Sequence, residues 1–354
     1  MMAFTVLVET FKEIIKESIK QQLRNHSIGQ FGRRCLKLDN YIFLRRTLVS
    51  HQIITSRNIF TGTAYFQRPP IPHLDKFSAR PAKGKAIVIV GLGLLASGYY
   101  FTHLEESPIT KRKRFMVFDN QSVAKLSTKV NQDMLASFKP FMLTPGHPKF
   151  RKVSDVVNSL LGANKDVVYI SKIPWKLTVV NKPVVNAFVM VDGHIIVFSG
   201  MIDLCQNSDQ LAAVLGHELS HVILEHIPEK ISNAHLLSII MMIPLLVIFT
   251  IFPLAKAVLL ESLLSHLAQL AITLPFSRKL EVEADEVGML LAARACFDVR
   301  EASKLWERMA KKSKGEPPVF LSTHPSHESR KERLKTLAGP AMEMRKAYGC
   351  PPLN

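Results

Sequence analysis

The segment LAAVLGHELSHVILEH, at positions 211–226, constrains the fold more than any other part of the chain. Apolar residues fill most of its turns, so the segment predicts a helix that is buried on nearly all sides. Asn207, Ser208 and Asp209 offer oxygen atoms that can cap its start, and Pro228 predicts its end. The domain must therefore be built around a helix that carries HELSH in its middle.

His217 and His221 of that motif are four residues apart, so both imidazoles lie on one face of the predicted helix. Two imidazole nitrogens directed at one point suit two corners of a tetrahedral zinc site. Glu218 lies about 100° further round the helix, where it can reach a water molecule without binding the metal. The alternative is that these are ordinary helix residues, but burying them without partners costs on the order of several kcal/mol. We therefore predict a zinc site with Glu218 as general base.

A catalytic zinc ion needs a third protein ligand and an open position. Metzincins supply a third histidine six residues after the second, but Ile227 occupies that position here and His226 is one residue out of register. The segment RKLEVEADEVG, at 278–288, offers carboxylates instead. We predict that Glu281 is the third ligand and that Asp285 accepts a hydrogen bond from the second nitrogen of a ligand histidine.

The segment from 278 to 288 predicts a second helix, which Ser277 could cap. Glu281 and Asp285 share a face with Gly288. A helix face that carries two acids and small residues indicates close packing against another element. Groups on that element would interact with both carboxylates. Glu283 and Glu286 point elsewhere on this helix, and we expect them to face solvent.

HELSH followed by a distant ExxAD resembles the gluzincin peptidases, a family that includes the CAAX prenyl protease and the bacterial heat-shock protease HtpX. Further blocks resemble the branch of mitochondrial inner-membrane metalloendopeptidases whose activity overlaps that of the m-AAA protease. These blocks are YFTHLE (100–105), SPIT (107–110), NAFV (186–189), SRKLEVEAD (277–285) and STHPSH (322–327). The resemblance covers about residues 98–354 and does not extend well into the first 85.

The resemblance implies an α+β, mostly helical fold, in which a gluzincin-type zinc peptidase domain has a small antiparallel sheet beside the HExxH helix. Apolar runs on either side of Asp192-Gly193 read as a β-hairpin, which fits that sheet. By resemblance, Asn186, Ala187 and Phe188 belong to an edge strand that pairs with the extended substrate backbone. We expect His194 to be a surface histidine and not a metal ligand.

His324 and Arg330 complete the expected site. The resemblance places a histidine before proline and a following arginine near the zinc, where both can donate hydrogen bonds to an oxyanion. His324 precedes Pro325 in this chain. The alternatives are a helix-capping loop residue for His324 and an ordinary helix salt bridge for Arg330.

Charge is concentrated at the start of the chain. The net charge is +17, and residues 1–85 contribute +10 of it, with 15 Lys and Arg against 5 Asp and Glu. The catalytic part therefore lacks the charge pattern of an organised nucleic-acid surface, and we expect no nucleic-acid partner. An Arg-rich, acid-poor region is typical of a mitochondrial transit peptide, although Glu9, Glu13 and Glu17 depart from that pattern. We predict that 1–85 is a targeting region and basic arm.

Two apolar stretches predict membrane contact. Residues 86–104 carry no Lys, Arg, Asp or Glu, and with Tyr99 and Tyr100 at the interface they predict a transmembrane helix before a metallopeptidase domain at 105–354. Within that domain, 236–260 is apolar and contains Pro244 and Pro253. It reads either as a second transmembrane segment or as a hairpin that dips into the membrane over the site.

The resemblance also implies a location and a function. It places the protein in the mitochondrial inner membrane, with the catalytic domain facing the intermembrane space and in contact with lipid. The resemblance implies one zinc ion per chain and a role in stress-activated quality control. The protein would cleave membrane-anchored proteins, including a dynamin-like fusion GTPase, and would also cleave itself. Whether the chain forms a homo-oligomer stays open. The rivals are a membrane scaffold without catalysis and a prenyl-type protease of the endoplasmic reticulum, which would need several clear spanning helices.

The four cysteines show no CxxC pairing, so neither a structural zinc site nor a redox motif is predicted. The sequence alone leaves open whether Cys205, Cys296 and Cys350 form a disulfide.

Overall fold

The computed structural model describes residues 82–312, 319–324 and 330–353, so nearly all of the predicted targeting region lies outside the described residues. The described chain divides into two compact units, with the boundary after Thr102. The unit before the boundary is represented by one helix, α1 (Ala82–Thr102), where the sequence predicts a helix over 86–104. Its hydroxyl groups bond within the helix: Ser97 donates to the Gly93 carbonyl at 2.8 Å. Such internal pairing is what an apolar environment requires.

In its described residues, the second unit is mostly helical and holds five short strands, which confirms the α+β fold class. Its helices in chain order are α2 (Asn120–Phe138), α3 (Pro148–Ala163), α4 (Val168–Lys172), α5 (Ser199–Leu204), α6 (Ser208–Ile223), α7 (His226–Ile251), α8 (Leu254–Ala268), α9 (Leu274–Arg294), α10 (Glu301–Lys312), α11 (Val319–Thr323) and α12 (Arg330–Ala347). The strands are β1 (Leu104–Glu106), β2 (Lys113–Phe115), β3 (Lys176–Val180), β4 (Ala187–Val189) and β5 (His194–Phe198).

The three-stranded sheet has the order β3-β5-β4. β4 and β5 are antiparallel across the Asp192-Gly193 turn, with Phe188 opposite Ile196, as the sequence predicts. β3 runs parallel to β5, so the expectation of a wholly antiparallel sheet is wrong for this strand. The reason is the short connection 181–186, which reverses the chain but leaves a gap between β3 and β4. β5 then returns through the hairpin and fills that gap.

Helix α6 is the HELSH helix and starts as predicted, because the Asn207 side chain accepts a hydrogen bond from the Gln210 N–H at 2.9 Å. Its end differs from the prediction. The helix stops at Ile223 and the chain reverses at Glu225, whose φ is 55°. Pro228 lies in the first turn of α7, where a missing N–H costs little.

Arg114 of β2 holds that reversal. It bonds the Glu225 carboxylate at 2.8 Å and also donates to the carbonyl of Leu224. Residues other than glycine rarely adopt the left-handed conformation, so the bonds from Arg114 stabilise a backbone conformation that Glu225 itself does not favour.

Helices α6 and α9 cross at two glycines, which fits the close packing that the sequence indicates. A Cβ atom on Gly288 would lie 2.7 Å from the backbone nitrogen of His217, and one on Gly216 would lie 2.7 Å from the carbonyl oxygen of Gly288. The predicted cap at Ser277 is wrong. A π-helical turn over Gln269–Thr273 joins α8 to α9, so Ser277 lies inside a continuous helix.

The apolar stretch predicted at 236–260 forms the end of α7, a corner at Phe252-Pro253 and the start of α8. Pro244 lies within α7, and Pro253 immediately precedes α8. Among the described residues, one helix is long and apolar enough to cross a membrane: it runs over Lys256–Arg294, with 39 residues, and 6% of its apolar window is buried.

One disulfide joins Cys296, just after α9, to Cys350, just after α12, and this answers the question that the sequence leaves open. Cys205 is free and buried, and its burial raises the pKa of its thiol to about 12.

We expect Gly288→Ala to destabilise the domain, because the new methyl group would meet backbone atoms of α6 that cannot move alone. Overpacking of this kind costs about 1–3 kcal/mol. Thermal and urea unfolding of the purified full chain in detergent would measure the loss.

The matched control is Gly162→Ala in α3, where a Cβ atom meets nothing within 4 Å. Alanine at an exposed helix position should leave stability unchanged or raise it by about 0.5–1 kcal/mol. Equal stability of the two variants would contradict the close crossing of α6 and α9.

Candidate metal centre and active site

Three predicted ligands meet at the crossing of α6 and α9. His217 Nε2 and His221 Nε2 are 3.1 Å apart. Glu281 reaches across from α9, with Oε2 3.3 Å from His217 Nε2 and Oε1 3.5 Å from His221 Nε2. One nitrogen or oxygen from each of these residues and from His324 lies within 4.8 Å of the others, and all four side chains are buried. The structure thus brings together the set that the spacing in the sequence indicates.

The donor set fits a divalent cation of the zinc type. Two imidazole nitrogens and one carboxylate oxygen are the ligands of many catalytic zinc sites. Glu281 Oε1 and Glu218 Oε1 are buried without a hydrogen-bond partner among the residues that the structure describes. Unsatisfied carboxylate oxygens in the interior are costly, and a cation at this point would compensate for them.

Glu218 occupies the position of a general base beside this cluster. Its carboxylate oxygen Oε1 lies 3.3 Å from His324 Nε2, and its side chain is almost fully buried. Burial is the main reason that the pKa of Glu218 rises to about 7. A carboxyl group with a pKa near neutrality can both accept and return a proton.

Asp285 lies behind His217. Its Oδ1 is 3.0 Å from His217 Nδ1, the nitrogen that faces away from the cluster. Two arginines of α12 fix the carboxylate, with Arg330 bonding Oδ1 at 2.6 Å and Arg333 bonding Oδ2 at 2.7 Å. The sequence prediction missed Arg333, although its position three residues after Arg330 places both on one helix face.

His324 lies between the general base and the third ligand. Its Nδ1 is 3.0 Å from Glu281 Oε2, and its ring stacks on Phe320 with a centroid distance of 4.8 Å. Arg330 packs over Trp306 at 4.4 Å and has its main ion pair with Asp285. Its Nε and Nη1 groups are buried without a hydrogen-bond partner in the described part of the chain. Both residues therefore lie at the cluster, as predicted.

A cleft leads to Glu218, His221 and His324. One wall is the chain from Phe188 to Val191, and Ser127 and Asn131 of α2 lie on the same cleft. Of the predicted strand residues, Phe188 lines this cleft.

Asn186 and Ala187 are buried and do not line the cleft. The Asn186 carbonyl faces β5, where it accepts a hydrogen bond from the Phe198 N–H at 3.1 Å. Pairing of this strand with a substrate backbone stays a prediction. By the alternation of an antiparallel ladder, the backbone groups of Val189 point away from β5. His194 bonds Thr178 at 2.8 Å and is outside the cluster.

Glu283 does not face solvent as the sequence predicts. It is buried and bonds Arg112 at 2.8 Å, because the β1-β2 connection and the start of α7 cover this face of α9. Glu286 is exposed, in agreement with its prediction. His226, which the sequence excludes as a third ligand, lies beside His221 and contacts it at 2.9 Å.

Comparison with known proteins adds three findings. The chain is 38% identical to the mitochondrial metalloendopeptidase OMA1 of Bos taurus over 310 residues, which cover 85% of this chain and 59% of the relative. It is 40% identical to the protein of that name in Homo sapiens over 280 residues, 77% of this chain and 53% of the relative. In Schizosaccharomyces pombe, the mitochondrial metalloendopeptidase OMA1 is 35% identical over 262 residues, 73% of this chain and 74% of the relative.

The chain spans somewhat more than half of the length of the two mammalian relatives. The model of Peptidase family M48 matches residues 148–338, which is more than half of the chain. This range contains the cluster of His217, His221, Glu281 and His324 together with Glu218. The chain therefore belongs to peptidase family M48.

Proposed function

We propose that the chain is a zinc-dependent endopeptidase. The observation that carries the proposal is the buried cluster of His217, His221 and Glu281, with the carboxylate of Glu218 directed into the same cleft. The relatives are named as metalloendopeptidases, which supports the proposal.

The proposed mechanism assigns each residue one task. His217, His221 and Glu281 would hold the ion and leave one position open. A bound zinc ion acts as a Lewis acid that polarises a peptide carbonyl and lowers the pKa of a water molecule. Glu218 accepts the proton of the attacking water and returns it to the leaving amine, a role that suits its pKa of about 7.

His324 and Arg330 are the proposed oxyanion donors. His324 Nε2 faces Glu218 across the cleft at 3.3 Å. Arg330 Nη1 lies 3.9 Å from Glu281 Oε2 and keeps its hydrogen for another acceptor while Nη2 binds Asp285. Donors fixed in a dry site stabilise the negative charge that develops on the carbonyl oxygen.

The proposed substrate is an extended polypeptide that lies along β4. Strand addition uses backbone hydrogen bonds, so it gives affinity with little sequence selectivity. The outward backbone groups of Val189 would contribute to that pairing, and the wall from Phe188 to Val191 would contact the substrate side chains.

We place the protein in the mitochondrial inner membrane, with the catalytic unit in the intermembrane space. The relatives are named as mitochondrial proteins. The Cys296–Cys350 disulfide supports a compartment that permits disulfides. Processing of a dynamin-like fusion GTPase, stress activation and self-cleavage belong to this proposal and rest on the family resemblance.

Contact with lipid is part of the same proposal. Leu259, Leu263 and Leu267 follow each other at intervals of four residues along α8, and they are 71%, 56% and 54% exposed. An exposed apolar face of this kind on a soluble surface is unusual and marks an interaction site. Substrates anchored in the same membrane would then be cut close to the lipid.

We expect Glu218→Gln to abolish cleavage of a membrane-anchored substrate and to leave one zinc ion bound. Loss of a general base lowers the rate by about 10²–10⁴-fold, while the three ligands stay in place. Metal analysis and cleavage assays on reconstituted full-length protein would measure both quantities. Glu286→Gln, an exposed acid of α9, is the control. Full cleavage in Glu218→Gln would contradict its role as general base, whereas bound zinc without cleavage in both wild type and variant would favour the scaffold.

We expect Glu281→Ala to lose both zinc and cleavage, because it removes a ligand. Chelation of the wild-type protein should have the same effect on cleavage, and added zinc should restore activity to the chelated wild type but not to the variant. Glu286→Ala should behave like wild type. Stoichiometric zinc and full cleavage in Glu281→Ala would place the third ligand elsewhere.

We expect Leu263→Lys to weaken cleavage of a membrane-anchored substrate but not of a soluble peptide, because a charge on the lipid face raises the free energy of insertion. Cleavage of the two substrates by the reconstituted full-length protein would be compared. Leu126→Lys is a matched control, since Leu126 on α2 is 53% exposed. Equal cleavage of the membrane-anchored substrate by both variants would remove α8 from the membrane contact.

A further inference from the structure

The second ligand histidine, His221, has a partner that neither the family assignment nor the proposed mechanism uses. His226 Nδ1 lies 2.9 Å from His221 Nδ1, the ring nitrogen that faces away from Glu281. We propose that His226 is a positioning residue that holds the His221 ring in the orientation and tautomer needed for metal binding. The inference rests on the proposed metal site.

The contact depends on the chain reversal after α6. On a continuous helix, residues five apart differ by about 140° around the axis and do not face each other. The helix ends at Ile223, and the left-handed conformation of Glu225 turns the chain so that His226 comes back beside His221. The bonds from Arg114 to this corner therefore also fix the position of His226.

The direction of the hydrogen bond follows from the chemistry of the ligand. A histidine that binds a metal through Nε2 carries its proton on Nδ1 and needs an acceptor there. His226 Nδ1 can accept only if the proton of His226 is on Nε2. His226 Nε2 lies 3.4 Å from Glu283 Oε2, which is long for a hydrogen bond but places a carboxylate on the correct side of the ring.

Glu283 is itself fixed. Arg112 donates to its Oε2 at 2.8 Å, and the Thr110 hydroxyl also bonds its carboxylate. The same guanidinium forms two bonds to Glu229, at 2.7 and 2.6 Å. Contacts thus run from His221 through His226 and Glu283 to Arg112, around a histidine with 0% exposure. The Nε2 of His226 itself has no hydrogen-bond partner among the described residues.

The two ligand histidines thus have different partners. His217 contacts the carboxylate of Asp285, whereas His221 contacts the imidazole of His226. Removal of such a partner typically weakens metal binding by about 10–100-fold. We expect a loss in this range when His226 loses its acceptor nitrogen.

A series of variants separates positioning from packing. His226→Phe keeps a ring in the cavity and removes the acceptor. His226→Asn leaves a smaller side chain but places its amide oxygen where Nδ1 was. If His226 only fills space, the Phe variant should be the better one. If it positions His221, the Asn variant should be the better one, so the two roles predict opposite orders.

The test measures zinc affinity of the full chain in detergent by competition with a chromophoric chelator, and thermal unfolding of the metal-free forms. We expect His226→Phe to bind zinc about 10–100-fold more weakly than wild type, and His226→Asn to recover most of that affinity. His194→Phe should bind zinc like wild type, because His194 bonds Thr178 away from the cluster.

Wild-type affinity in His226→Phe, or weaker binding in the Asn variant than in the Phe variant, would overturn the inference. Absence of zinc binding by the wild type would instead overturn the proposed metal site. If the Phe variant does not fold, His226→Gln replaces it, since its amide lies near the position of Nε2 and leaves Nδ1 without a substitute. Full affinity in that variant would also overturn the inference.

Discussion

The close crossing of α6 and α9 is the constraint on which the site depends. Gly216 and Gly288 let the two backbones approach to a distance that any Cβ atom would prevent. Only at this separation can a glutamate on α9 reach the imidazoles of His217 and His221, because its side chain spans a few ångströms. At the two glycines the helices therefore pack backbone against backbone. The polar side chains of the site occupy the remaining space between the helices.

This choice creates an electrostatic problem, since several acids and histidines lie in the interior. Burying charges is unfavourable unless each has a partner. Arginines from outside the two central helices supply those partners. Arg112 and Arg114 come from the β1-β2 segment, and Arg330 and Arg333 come from α12. The two helices that carry the proposed ligands are therefore contacted by elements that carry none of those ligands. The site consequently depends on the fold of the whole domain.

Much of the site could be predicted from the sequence, because helical spacing fixes which side chains share a face. His217, His221, Glu281 and Asp285 follow from intervals of four residues, and the structure brings them together. Asn207 as a cap and the hairpin at Asp192-Gly193 follow from local turn chemistry, which needs no tertiary information.

The remaining features depend on contacts between distant parts of the chain. The sequence predicts that Pro228 ends α6, but the end is set by Glu225, whose unusual conformation is stabilised by Arg114 more than a hundred residues earlier. The sequence predicts a solvated acid at Glu283, because nothing near it in the chain shows that Arg112 will cover it. The parallel pairing of β3 likewise follows from the path of a connection and not from the strand pattern. Local periodicity predicts which face of a helix or strand carries a side chain. It does not predict which distant residue that side chain contacts.

The ligands and the exposed apolar face belong to the same continuous elements. α7 starts at His226, five residues after His221, and leads to the corner at Phe252-Pro253. From that corner, α8, the π-helical turn and α9 run without interruption to Glu281. If the exposed face of α8 lies in lipid, as proposed, the third ligand is carried by the same continuous helical run as the lipid-contacting face. The distance of the site from the lipid is then set by the length of that run, because each residue adds about 1.5 Å along a helix.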